Sequence, residues 1–487
     1  MPTSPSSDFD GRQRAFVDRM GGGGLDALER GVIVVLPSIS FAEPELRKIS
    51  GITFYEERML FALLWLRDPQ MEIVYVTSMP VDEAIVDYYL TFLDDPLSAR
   101  SRLTMVSLDD ARPCALSSKL VDRPRSLDVI RDHVGGRGDA YILPFNVTPW
   151  ERIIAERLDM PLYGPSPEAA VSLGSKSGSR RVARAAGVPV LPGDEDLFSV
   201  GEVEDAIRRL SAAVPGIETV VIKLNHGFSG QGNAIVEIDE LRFPLPESTT
   251  VFCAEEESWD GYADKIAASG AVVERLARHP ALVSPSVQMR IAPGGTVEVV
   301  STHDQILGGP DEQVYLGCRF PARSEYRDAI MEHGRSVGNV LAAGGVIGSF
   351  GVDFVGLPND AGYDLYLGEI NLRLGGTTHP FLMARMVTDG DLHPRSGELV
   401  AGGRSKFYVS SDNLKSHAYR SYTPERARRM IEERGLEFDR SSRTGTTLHL
   451  LGAISPFGKL GAVCIADSHE DADALLVEVV GVLDVGA

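Results

Sequence analysis

The sequence predicts a multidomain protein of mixed class, α/β at its start and α+β further on. Three observations predict this. At 487 residues the chain is too long for one comfortable core. Apolar runs alternate with helical patterns up to about residue 165, which marks a doubly wound parallel sheet. Beyond residue 219, strand patterns dominate, interrupted by one long helix.

In chain order, Met1–Gly24 ends in four glycines without a signal-peptide apolar stretch, so residues 1–25 read as a flexible tail. Gly31–Leu36 is continuously apolar and stopped by Pro37, as suits a strand buried on both faces. A helix is expected around Tyr55–Arg67, with Met59, Leu60, Leu63, Leu64 and Leu66 along one side. Strands at Ile73–Thr77 and Ala140–Pro144 and a helix near Asp82–Leu93 complete a unit over 26–167. The next unit, 168–258, holds a helix Lys176–Ala186 ended by Gly187, where a left-handed residue is cheap, with Pro189 beyond it. A second helix near Val203–Ala213 and a hairpin of Thr219–Leu224 with Ala234–Ile238 follow. Unit 259–405 carries strands at Ala271–Arg275, Ser286–Ile291, Val297–Thr302, Gly348–Val355 and Tyr363–Leu372, and a helix near Tyr326–Ala343. Residues 406–487, with a helix Pro424–Arg434 and strands Thr446–Leu451 and Gly461–Ile465, read as a separate α+β domain.

Composition excludes several function classes. Lys and Arg number 48 against 69 Asp and Glu, a net charge of −21, so a nucleic-acid or anionic-membrane partner is not expected. No apolar run approaches the roughly 20 residues that cross a bilayer. Cys114, Cys253, Cys318 and Cys464 form no CxxC pair; each reads as a small buried hydrophobe in a reduced cytoplasm.

Three stretches carry chemistry. The connection His226-Gly-Phe-Ser-Gly-Gln-Gly-Asn233 is longer than the two to five residues a hairpin needs. Its Gly227, Gly230 and Gly232, with Ser229 between, let backbone N–H groups converge on an anion, and Lys223 stands just before it. Neither GxGxxG nor GxxxxGK[ST] is present, so a plain surface hairpin remains open. Lys176 opens a helix, against the dipole preference, which makes sense if a polyphosphate lies there; a solvated lysine is the alternative. In Leu367–Leu374 the odd residues Glu369, Asn371 and Arg373 alternate with apolar ones, so one strand face presents a carboxylate, an amide and a guanidinium. The turn at 357–362 would fold Asp353 opposite residues 367–369, giving a hard-oxygen site suited to magnesium, with Arg373 placed to hold phosphate or carboxylate; an exposed polar sheet face is the alternative.

In this order, the features resemble the ATP-grasp superfamily over roughly residues 30–400: Lys176, Ala186-Gly-Val-Pro189, Lys223, the glycine-rich 226–233, Val272-Val-Glu-Arg-Leu276, Asp353 and Glu369-Ile-Asn371. Ile49–Arg58, Gly174–Arg180, Ser284–Arg290, Ser301–Leu307 and Thr447–Gly452 further resemble peptide ligases of the pheganomycin-synthesis type, extending the likeness into the C-terminal domain. The resemblance implies an ATP-grasp fold with a pre-ATP-grasp domain (26–167), a lid (168–258), a core (259–405) and a small C-terminal α+β domain. It implies that Lys176 and Lys223 contact nucleotide phosphates, that Glu274 and the Leu276 backbone meet the adenine edge, and that Asp353, Glu369 and Asn371 hold magnesium, with manganese as substitute. D-alanine–D-alanine ligases have an Arg two residues before the magnesium Asp; Gly351 stands there, so Arg373 or Arg290 would supply that charge. The activity implied is ATP-dependent joining of a small carboxylic acid to an amino acid or peptide amine through an acyl phosphate, in peptide natural-product assembly. A thiol acceptor and a non-catalytic ATP-binding module are the alternatives. His303, Asp304 and His379 are candidates for substrate orientation or amine deprotonation. Members of the superfamily are often dimers, so a homodimer is the assembly the resemblance suggests.

Overall fold

The computed structural model describes residues 9–20, 31–226, 232–241, 243–245, 250–253, 257–308 and 314–485. The first sheet is parallel and four-stranded: β1 (Gly31–Leu36), β2 (Met71–Thr77), β3 (Leu103–Ser107) and β4 (Tyr141–Pro144), in the order β3-β2-β1-β4. Every residue of β1 is buried, as its uninterrupted apolar run requires for a strand covered on both faces. The helix expected at 55–67 spans Ile52–Arg67, is wound as a 3₁₀ helix, and is buried all round from Met59 to Leu66 rather than along one side. It is enclosed between β2 and the helix Thr378–Thr388, so no face is left for solvent. The supposed tail is partly ordered: Phe9–Met20 is a helix whose Phe16 packs on the rings of Tyr141 and Tyr163, at centroid distances of 5.5 and 6.3 Å.

The second sheet is antiparallel, with β5 (Gly193–Leu197), β6 (Thr219–Leu224), β7 (Asn233–Glu237), β8 (Thr250–Phe252) and β9 (Ala271–Arg275) in the order β5-β9-β6-β7-β8. β9, grouped by sequence with 259–405, therefore belongs to the unit before it, because its backbone is paired on both edges by β5 and β6.

The third sheet has ten strands. β10 (Pro285–Ile291), β11 (Val297–Gly308), β12 (Val314–Phe320), β13 (Gly348–Asn359) and β14 (Gly362–Asn371) belong to the core. β15 (Asp391–Leu392), β16 (Leu399–Ala401), β17 (Arg404–Lys415), β18 (Gly445–His449) and β19 (Lys459–Ala466) continue it. The small C-terminal domain is thus built onto the core through the β12–β17 pairing. Helix Ser324–Ala343 packs Ile330, Met331, Val337 and Leu341 against Val287, Met289 and Phe350 of the sheet.

Candidate functional site

The site begins with the β13–β14 hairpin. Its register places Asp353 opposite Glu369 and Gly351 opposite Asn371. Between Asp353 and Phe354 the register shifts, and Gly368 is the extra residue. Before this bulge, Leu365 and Leu367 face the core; after it, Ile370 and Leu372 do. The bulge therefore turns Glu369 and Asn371 away from the core and onto the face that carries Asp353.

On that face the polar groups hold one another. Asn371 Nδ2 donates to Asp353 Oδ2 at 2.9 Å, and Arg373 Nη2 donates to Asn371 Oδ1 at 2.7 Å. The Arg373 guanidinium also lies 5.6 Å from the Phe41 ring centroid. Gln305 Nε2 donates to the other Asp353 oxygen at 2.8 Å. Burial, and then the nearby Glu369 carboxylate, push the Asp353 carboxyl up to about 7. Burial also acts on Glu369, but Lys176, Arg373 and Lys223 outweigh it and hold that carboxyl below its ordinary value. The Arg373 pKa is lowered by burial, in part offset by Glu369 and Asp353.

Lys176 reaches this face from the helix Lys176–Ala185, and its Nζ lies 3.4 Å from Glu369 Oε2. The helix is fastened to β14 where Ser179 Oγ accepts the Ile370 N–H at 3.0 Å. Its leading N–H groups are satisfied within the protein. Asn225 accepts from Lys176 N and Ser177 N, and Ser175 Oγ accepts from Gly178 N. The anion preference expected of this helix end therefore falls to the lysine side chain alone.

Lys223, on β6, pairs with Glu274 of β9, and Glu274 also receives Arg180 Nη1 at 3.0 Å. With Glu274 only 3% exposed and held by two cations, its carboxylate is not free for an adenine edge. The Leu276 N–H, expected at the same edge, donates to the Thr219 carbonyl at 3.2 Å. Of the glycine-rich connection, Gly227, Ser229 and Gly230 lie outside the described residues. Its two ends are placed. The Gly232 carbonyl accepts from Leu224 N and the Tyr262 hydroxyl, and the His226 pKa is lowered by burial and then by the adjacent Lys176 charge. The root of the hairpin thus borders the Lys176–Glu369 pair.

Arg290 is not brought to the cluster. It sits opposite Ser349, four residues along β10 from the Asp353 partner Ser286, and is 1% exposed and ion-paired with Glu298. Alternation puts it on the right face, but at about 3.3 Å per residue it is displaced by roughly 13 Å. His303 is fully buried against the Tyr408 hydroxyl, at 2.7 Å. Asp304 accepts from Tyr326 and from the Arg323 N–H. His303 shares the sheet face of Asp353, with Ser286 between them, but its Nε2 is engaged by Tyr408; Asp304 points to the opposite face. Gln305 was not foreseen as a site residue; its signal is the polar alternation Ser301, His303, Gln305 along β11. Arg180 was likewise missed, since nothing local marks a buried arginine within a helix.

Comparison with known proteins yields a consistent picture. Residues 167–251 and 247–395 match the family model described as IQCH-like, ATP-grasp, and residues 426–476 match the PGM1 C-terminal domain. L-propargylglycine–L-glutamate ligase from Streptantibioticus cattleyicolor is 31% identical over 90% of this chain and 91% of its own. IQ motif-containing protein H from Danio rerio is 22% identical over 75% of this chain and 40% of its own. Among solved structures, the fold is similar to the ADP complex of N5-carboxyaminoimidazole ribonucleotide synthetase (TM-score 0.53, 13% identity, 93% of this chain and 96% of that one). It is also similar to biotin carboxylase from Campylobacter jejuni (TM-score 0.56, 16% identity, 92% and 90%). Among the described residues, no helix is long and apolar enough to cross a membrane.

Proposed function

The chain belongs to the ATP-grasp carboxylate–amine ligases that include L-propargylglycine–L-glutamate ligase, and from that premise we propose that it joins an acid to an amino-acid amine through an acyl phosphate. The observation that carries this reading is the meeting of Asp353, Glu369 and Asn371 with Lys176 and Arg373 on one strand face.

The donor set fits magnesium: two opposed carboxylates, one with its pKa pushed up to about 7 by burial and by the other carboxylate, beside an amide oxygen. Asp353 and Glu369 would hold the ion, joined by Asn371 Oδ1 once Arg373 releases it. When bound, magnesium supplies positive charge beside the phosphates of ATP.

Phosphoryl transfer asks the protein for positioning and charge neutralisation. Lys176 and Lys223 reach the phosphates, Lys223 being aimed by Glu274, whose own charge Arg180 balances. Arg373 steadies the transferring phosphoryl group or the incoming carboxylate. A carboxylate oxygen bonds to the γ-phosphorus as the bond to ADP breaks. The amine lone pair then bonds to the acyl carbon, phosphate departs, and the amine proton goes to solvent. Water must be kept out, because the acyl phosphate hydrolyses readily. The pheganomycin-type likeness adds a place in peptide natural-product assembly.

The test is an ADP-release assay over candidate acids with hydroxylamine present and no amine added. A hydroxamate is expected, and its absence with every acid that supports ADP release would remove the acyl phosphate. Lys223→Ala and Glu369→Gln should each lower ADP release by at least about a hundredfold, with circular dichroism unchanged.

A further inference from the structure

Within electrostatic reach of Arg373, the N-terminal and C-terminal halves meet at a buried group of polar side chains. His379 stands at the start of the helix Thr378–Thr388, Asp412 on β17, His449 on β18 and Arg58 on the helix Ile52–Arg67. His449 Nε2 lies 2.8 Å and His379 Nε2 3.2 Å from the same oxygen, Asp412 Oδ1, while Arg58 pairs with Asp412 Oδ2. The two rings are 4.5 Å apart and steeply inclined, at 68°.

His379 is only 5% exposed, yet neither of its ring nitrogens makes an aligned hydrogen bond. Buried polar groups are as a rule partnered, so these nitrogens are available to a ligand. The cavity beside it has a volume of about 10 Å³ and is lined by Arg58, Phe61, His379, Met383 and His449, among others. That is room for about one water-sized sphere, not for an amino acid or a nucleotide. Gly461 leaves space for the His449 ring, since a Cβ there would stand 2.0 Å from Nε2.

The geometry points to a transition-metal site, best matched by zinc(II), held by Nε2 of His379, Nε2 of His449 and Oδ1 of Asp412. These three ligand atoms lie within 4.8 Å of one another. Two imidazoles and one carboxylate form a zinc set, whereas magnesium favours oxygen ligands, so this site is chemically distinct from the Asp353 face. Arg58 on the second carboxylate oxygen supplies the outer hydrogen bond that fixes a ligating carboxylate. The ion would cross-link the helix 378–388, which follows directly on the Arg373 strand face, to β17 and β18 of the C-terminal domain.

The test uses the full chain, purified without chelator and without a histidine tag. Elemental analysis should find about one zinc per chain, and cobalt(II) added to stripped protein should give the visible absorption of a low-coordinate N/O site. His379→Asn and His449→Gln should each lose both signals, while Glu369→Gln, at the other site, keeps them. Wild-type protein that holds no zinc and develops no cobalt absorption would overturn the inference and leave a hydrogen-bonded His–Asp–His group. Cobalt absorption undiminished in both histidine variants would overturn it too. Should a variant fail to fold, the wild-type measurements still decide.

Discussion

Asp353 is the residue whose energetics most depend on what binds beside it. Its folded pKa of about 7 lies above the ordinary 3.8, so the folded state binds this proton more tightly than the unfolded state does. The resulting stability is fully present below about pH 4 and is lost as pH rises through about 7. Asp353→Asn removes the titration, so its melting temperature relative to wild type should climb between about pH 4 and about pH 8, measured without nucleotide. A difference that stays flat across that window would contradict the raised pKa. For the same reason the proton competes with a cation, and the magnesium needed for half-maximal turnover should increase as pH falls below about 7. Arg180 makes a different case. It is 2% exposed and holds Glu195 and Glu274, which keep Arg184 and Lys223 as partners, so Arg180→Met should cost about 1–3 kcal/mol in denaturant unfolding through the hydrogen bonds it removes.

At the scale of elements, the bulge at Gly368 decides which way the metal-binding face looks. Without it, continued pairing from Phe354–Leu367 would set Glu369 opposite Val352, whose side chain is in the core. Deleting Gly368 takes out the extra residue itself, so Glu369 follows Leu367 directly and stays opposite Asp353; ADP release should survive, and its complete loss in a folded variant would contradict this reading. Gly368→Ala should retain turnover within about threefold, because its Cβ would approach nothing nearer than 3.4 Å and its backbone is not left-handed. Strand alternation pointed to Glu369, Asn371 and Arg373 as one row, and that row exists. The extra residue was not legible, because a glycine between Leu367 and Glu369 fits an unbroken strand equally well. The helix at Lys176 was legible from its Ser cap and from Gly187, which is left-handed at φ 69°. That Asn225 and Ser175 fill its leading N–H groups depends on a residue some fifty positions away.

At the scale of the molecule, the C-terminal domain is part of the same sheet as the core. β17 pairs with β12, and Leu460, Ala462, Val463 and Ile465 of β19 lie in one apolar cluster with Leu60, Phe61 and Phe381. A chain ending at residue 405 would leave β12 with an open edge and that cluster uncovered. Such a truncation should be insoluble on expression or bind a dye for exposed apolar surface, and a soluble, cooperatively melting product would contradict this account.

The residues themselves determined the fold class, the order of the units and the acid–amide–guanidinium row, because apolar periodicity and turn chemistry are local properties of the chain. Only the tertiary structure decided that β9 belongs to the second sheet, that Arg290 lies away from the cluster, and that Arg180 and Glu274 lock Lys223 in place. It alone brought Arg58, His379, Asp412 and His449 together across nearly the whole chain. Such pairings are set by which surfaces bury one another, and sequence spacing carries no record of a partner hundreds of residues away.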